Sequence, residues 1–139
     1  MKTVFEKIRD REIPSYIIYE DDQVMAFLDI TQATKGHTLI VSKTAYKDYL
    51  DTPDSVLSHM ALITKKVMAS LQSLYHPEGF NVLNNLGETA GQTVFHVHFH
   101  VIPRYREDDV TFKFHPESTP TESQMKMLCQ SLTLALSKT

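Results

Sequence analysis

One cysteine, Cys129, stands in 139 residues, so no internal disulfide can form and no CxxC pair offers a zinc or redox motif. A reducing compartment suits such a chain, and the cytoplasm is the expected location. An excess of positive charge is missing too, with 14 Lys and Arg against 17 Asp and Glu and a formal net charge of −3. Binding along a phosphate backbone relies on clustered cations, so no nucleic-acid surface is expected. No 18-residue apolar run is present, and the opening MKTVFEKIRDREIP has no apolar core, so neither a membrane span nor a leader is expected. What remains, 42% apolar and 22% charged residues, is the composition of a folded globular protein. At this length one core suffices, and residues 1–139 read as a single domain.

The strands announce themselves locally. YIIY (16–19) and QVMAFL (23–28), separated by the polar EDD, read as a hairpin, and TLIVS (38–42) reads as a third strand. From Thr52 the period changes: Pro53 suits a first helical position, and Val56, Met60, Ile63, Val67, Leu71 and Leu74 share one helical face. Pro77 and Gly79 should end that helix near His76. FNVLN (80–84) is a fourth strand, NLGETAGQ a loop, and TVFHVHFHVI (93–102) the longest strand. Thr119 to Glu122 offers a capping box for a second helix carrying Met125, Leu128, Leu132 and Leu136 on one face. Residues 104–118 read as a tail with room for one short strand. The expected class is α+β, with a mostly antiparallel sheet and two helices.

Three histidines fall on alternate positions in HVHFHVI (96–102). On a strand, His96, His98 and His100 share one face while Val97, Phe99 and Val101 share the other, giving a chemical face and a core face. A metal site is one reading. However, His96 and His100 would lie roughly 13 Å apart along a straight strand, and no cysteine or well-spaced carboxylate completes a ligand set. Nucleophilic catalysis is the other reading, because imidazole is largely neutral at pH 7 and so nucleophilic without a strong base. The loop feeding the strand supports it. Gly87 and Gly91 let backbone amides turn toward an anion, and Gln92 and Thr93 add side-chain donors.

His96-Val97-His98-Phe99-His100-Val101-Ile102 resembles the signature of the histidine triad (HIT) family, and the similarity runs over about residues 4–105, leaving 106–139 as tail and helix. The resemblance implies a five-stranded antiparallel sheet, a homodimer with joined sheets, and a purine nucleotide substrate. It implies that His98 attacks the α-phosphorus of a nucleoside 5′-phosphoramidate or related ester, forming a nucleotidyl-histidine that water cleaves. The His96 backbone would orient that nucleophile, His100 would bind phosphate and assist the leaving group, and His37 matches a fourth family histidine. In the same way Asp29 would grip the ribose, Ile30, Phe27, Phe5 and Ile8 would enclose the base, Asn85 and Gln92 would contact phosphate or ribose, and Thr93 would lie near the leaving group. Many bacterial members carry a structural zinc, but Thr3, Glu6 and Ala45 stand at the ligand positions, so no metal or other cofactor is expected. His59, His76 and His115 are assigned to an exposed helix face, a helix end and the tail, and Arg104 to phosphate or to solvent. Dinucleoside polyphosphate hydrolysis, a nucleotide-binding regulatory module with little turnover, and an HxH metalloenzyme of another fold remain as rival readings.

Overall fold

The computed structural model describes residues 1–114, 116 and 119–139; the expected tail position of His115 lies outside them. Five strands, β1 (Ile17–Glu20), β2 (Val24–Leu28), β3 (Thr38–Ser42), β4 (Gly79–Leu83) and β5 (His98–Arg104), form one antiparallel sheet in the order β1-β2-β3-β5-β4. Among the described residues three helices accompany them, α1 (Val4–Arg9), α2 (Asp54–Tyr75) and α3 (Glu122–Leu136), with a 3-10 turn at Glu88–Ala90. Among the described residues no helix is long and apolar enough to cross a membrane.

Both faces of the sheet centre are covered, which is why β2 and β3 are apolar at nearly every position instead of alternating. On one face Val24, Ala26, Ile40, Val97, Phe99 and Val101 pack against Val56, Met60, Ile63, Val67 and Leu71 of α2. Each such side chain, once fully buried, contributes about 1.5–3 kcal/mol. On the other face Met25, Phe27, Leu39 and Val41 pack against Phe5 and Ile8 of α1. This second cluster is the floor beneath the histidines.

The N-terminal helix is an addition to the two expected. Its start is a capping box, in which the Thr3 hydroxyl accepts from the Glu6 N–H at 3.1 Å and the Glu6 carboxylate accepts from the Thr3 N–H at 2.9 Å. The α3 cap falls at Thr121 with Gln124, two residues past the expected Thr119 and Glu122, because TPTESQ contains two overlapping Thr-x-x-Glu/Gln registers and the later one forms. Pro53 is the N-cap residue of α2, one position before the expected one.

The long strand expected from residue 93 begins its ladder only at His98, since the Val97 N–H donates to the Tyr46 carbonyl at 2.7 Å instead of to a neighbouring strand. It runs on to Arg104. Pro103 is tolerated there because β3 has stopped pairing at Thr38 opposite Val101, leaving β4 as the sole neighbour. Among the described residues of 105–118 no strand forms. The face of α3 bearing Met125, Leu128, Leu132 and Leu136 is exposed.

Candidate active site

Four histidines converge on the α1 side of the sheet. Register places His98 opposite Val41 and His100 opposite both Leu39 and Leu83, while His37 enters from the residue preceding β3. His96 precedes the ladder, yet it keeps the alternation: its ring is fully buried on the α1 side while Val97 points into the α2 core. His37 and His98 are buried, and His100 is half-buried.

The hydrogen bonds determine which nitrogens carry protons. His98 Nδ1 lies 2.8 Å from the main-chain oxygen of His96, which can only accept, so Nδ1 carries the proton and Nε2 keeps a lone pair. The Ala33 N–H donates to His37 Nδ1 at 3.2 Å, so His37 Nε2 carries a proton and donates it to His100 Nδ1 at 2.9 Å. His100 must then hold its own proton on Nε2. Neutral His98 and His100, with ring centroids 5.2 Å apart, thus offer one bare nitrogen and one N–H donor.

Burial keeps these rings neutral. It lowers the pKa of His96, His98 and His37, outweighing the His96 carbonyl at His98 and the Asp29 carboxylate at His37, which act the other way. His100 is pushed down to about 4 by burial first, then by the repulsion that His98 and His37 exert when protonated. Asp29 ends below its ordinary value: burial opposes ionisation, but two hydrogen bonds from Thr31 (2.8 and 2.6 Å) and the histidines His37 and His100 prevail.

The residues expected around a nucleoside divide. Phe5, Ile8 and Phe27 come together as buried members of the second cluster, and the Phe5 ring meets His96, His98 and Phe27 edge-on at centroid distances of 5.4, 5.0 and 5.6 Å. Asp29 joins them near His37, with oxygen and nitrogen 3.7 Å apart. Ile30 does not join; it is 82% exposed. Asn85 is half-buried and Thr93 exposed on the loop before β5. Gln92 is buried with both N–H groups donated to the carbonyls of Lys47 and Val94, and its oxygen accepts from the Gly87 N–H, so it ties the loop together.

Arg104 is likewise committed, to Asp108, Asn81 and the Val110 carbonyl, and anchors the segment after β5. His59 is not on an open helix face as expected. Its Nε2 bonds Asp21 in the β1–β2 turn at 2.5 Å, because α2 crosses the sheet close to that hairpin. His76 does end α2, in a left-handed conformation with φ of 53°.

Sequence reasoning missed two partners of the triad. Asn84 donates to the main-chain oxygen of His98 at 3.0 Å, and no local pattern announces it. Thr3 bonds His96 Nδ1 at 2.7 Å; the Thr3-x-x-Glu6 capping box was legible, but not what the hydroxyl would face.

A zinc ion does not fit at Thr3, Glu6 and Ala45. Thr3 and Glu6 satisfy one another, Ala45 has no donor atom, and both ring nitrogens of His96 are occupied, Nδ1 by Thr3 and Nε2 by the Ser42 carbonyl at 2.6 Å. Asp29, His37 and His100 bring ligand atoms within 4.8 Å of one another. A ligating imidazole, however, presents a bare nitrogen to the metal and donates from the other. With the Ala33 N–H on His37 Nδ1, His37 Nε2 is the donor to His100, and Asp29 stands 3.7 Å from that nitrogen without a hydrogen bond to it.

A family model described as the HIT domain matches residues 10–107. An uncharacterized HIT-like protein of Methanocaldococcus jannaschii is 46% identical, over 80% of this chain and 85% of its own. An adenylylsulfatase, HINT3 of Arabidopsis thaliana, is 37% identical over 76% of this chain and 53% of its own. Among solved structures, a HIT family protein from Bacillus anthracis superposes with a TM-score of 0.89 at 38% identity, covering 96% of each chain. A zinc-bound histidine triad family protein from Mycobacterium smegmatis does so at 0.76 and 34%, covering 100% of this chain and 99% of that one.

Proposed function

This chain belongs to the HIT family, and on that premise we propose that it is a nucleotide hydrolase or transferase cleaving purine nucleoside 5′-phosphoramidates or related nucleotidyl esters, working in the cytoplasm as a homodimer without a metal. The observation that carries the reading is the proton arrangement: a buried imidazole whose Nδ1–H is held by the His96 carbonyl, leaving Nε2 bare, beside a second imidazole whose Nε2 bears hydrogen. Such a pair supplies a nucleophile and a donor together.

In the first displacement His98 Nε2 attacks the α-phosphorus while the phosphorus–nitrogen bond of the phosphoramidate breaks. The leaving amine takes up a proton delivered through His100. Water then attacks the nucleotidyl-histidine, giving back to His100 the proton lost to the amine, and releases the nucleoside monophosphate with neutral His98 restored. Phe5 and Phe27 would bear on the base, and Asp29 on the ribose hydroxyls. Asn85 and Thr93 would face the phosphate oxygens, where preorganised donors stabilise the transition state, whereas the Gly87 and Gly91 N–H groups, expected to turn toward an anion, are donated instead to Gln92 Oε1 and to the Glu88 carbonyl.

The name of the Arabidopsis relative, an adenylylsulfatase, is that of an enzyme releasing a nucleotidyl group, which supports this reaction class. The test is release of AMP from adenosine 5′-phosphoramidate by wild type and His98→Ala with a chelator present. Turnover by the wild type alone is expected. Equal turnover by both removes His98 as nucleophile; AMP binding by both without turnover favours a binding module.

A further inference from the structure

Three groups around His96 have their hydrogen-bond directions forced. Thr3 Oγ1 accepts from the Glu6 N–H at 3.1 Å, so its own proton is available, and His96 Nδ1 stands 2.7 Å away. On the other side of the ring the Ser42 carbonyl, 2.6 Å from Nε2, can only accept. Neutral His96 therefore donates from Nε2 and accepts at Nδ1, and the chain of bonds runs from Glu6 through Thr3 and His96 to Ser42. His96 is 0% exposed, so its Nδ1 meets the Thr3 hydroxyl and not solvent.

This ring sits between the N-terminal helix and the nucleophile. Its main-chain oxygen holds His98 Nδ1 at 2.8 Å, and Phe5, two residues after Thr3, lies edge-on to both His96 and His98. The far end of α1 is tied to the same place, because Arg9 Nη1 donates to the Lys43 carbonyl at 2.7 Å, next to Ser42. The helix is thus strapped at both ends to the end of β3, and one strap passes through His96.

We propose that Thr3 is a positioning residue for the nucleophile: its hydroxyl holds the His96 ring in the Nε2–H tautomer, and that ring in turn fixes the carbonyl that orients His98 and the helix that sets Phe5 against it. This rests on the reading of His98 as nucleophile. Loss of the hydroxyl leaves a fully buried ring nitrogen unpaired, and the ring relieves that by moving or by shifting its proton. A displacement of the nucleophile on the order of 1 Å can lower kcat about a hundredfold.

Three substitutions separate this role from helix capping. Thr3→Ser keeps both the cap and the donor, Thr3→Val removes both, and Thr3→Asp keeps the capping acceptor but cannot donate as a carboxylate. With adenosine 5′-phosphoramidate, Ser is expected to hold kcat within about threefold of wild type. Val and Asp should each lose about tenfold to a hundredfold in kcat, with KM changed far less. Long-range 1H–15N spectra of the imidazoles should show His96 as the Nε2–H tautomer in wild type and Ser, and protonated on both nitrogens in Asp. Wild-type kcat in Asp, or His96 of the wild type protonated at Nδ1 alone, overturns the proposal. Should the wild type lack turnover, the proposed reaction falls, and the His98 spectrum decides the positioning role. A His98 Nδ1–H tautomer that redistributes in Val and Asp upholds it; identical His98 signals in all four proteins overturn it.

Discussion

Lowering the pH from 7.5 to 5.0 should destabilise the fold well before any carboxylate is protonated. His100 has its pKa pushed down to about 4, against about 6.5 for an ordinary imidazole. A group whose folded pKa lies below its unfolded value contributes full stability above the unfolded pKa and loses it as pH falls toward the folded one. The window here is therefore pH 6.5 to 4. At pH 5 the unfolded chain has taken a proton on this imidazole while the folded chain has mostly not, which costs about 2 kcal/mol from His100 alone. Burial shifts His37, His96 and His98 in the same direction, so their losses add. The depressed carboxylates Asp10, Asp21 and Asp108 act in the same sense, but their loss sets in only near the ordinary carboxylate pKa of about 3.9, leaving the histidine window clear. Urea unfolding at the two pH values measures the difference, and His100→Asn should reduce it by about 2 kcal/mol. Equal unfolding free energies at pH 7.5 and 5.0, or no smaller loss in the variant, would show that the rings are not held neutral by burial.

Gly36→Ala should be strongly destabilising, because the backbone has φ of +99° and an added methyl would stand 2.8 Å from Leu71 Cδ2 and 3.2 Å from Pro103 Cγ. Strain and overpacking together come to about 2–4 kcal/mol, a fall in the thermal midpoint of roughly 6–15 °C, and a change below about 2 °C would refute the packing. Asp21 gathers the N–H groups of Gln23 and Val24 at 2.8 and 2.9 Å, the Tyr19 hydroxyl at 2.7 Å and His59 at 2.5 Å. Asp21→Ala should therefore cost about 2–3 kcal/mol in chemical denaturation and Tyr19→Phe under about 1 kcal/mol, and comparable losses would contradict its role as the hub of the hairpin turn.

Local pattern carried much of this architecture. Apolar runs bounded by polar turns marked β1 to β4 to within a residue or two, and the spacing from Val56 to Leu71 marked the buried face of α2. Neighbouring side chains alone specify such elements through period and propensity. Alternation in HVHFHVI separated the histidine face from the core face even at His96, which lies outside the ladder, because an extended backbone alternates whether or not a strand pairs with it.

What pattern could not supply was the state of each ring. The tautomer of His96 depends on Thr3, 93 residues away, and on Ser42; that of His100 depends on His37, 63 residues away, and through it on the Ala33 N–H. Nor could it show that Gln92 and Arg104, both plausible phosphate ligands by type, are committed to the protein's own groups. Periodicity says which face a side chain takes; which atom carries its proton is decided by the donor or acceptor that folding places opposite. The sequence by itself therefore determined the sheet, the long helix and the row of histidines, and only the tertiary structure decided that His98 presents a bare nitrogen and His100 a proton.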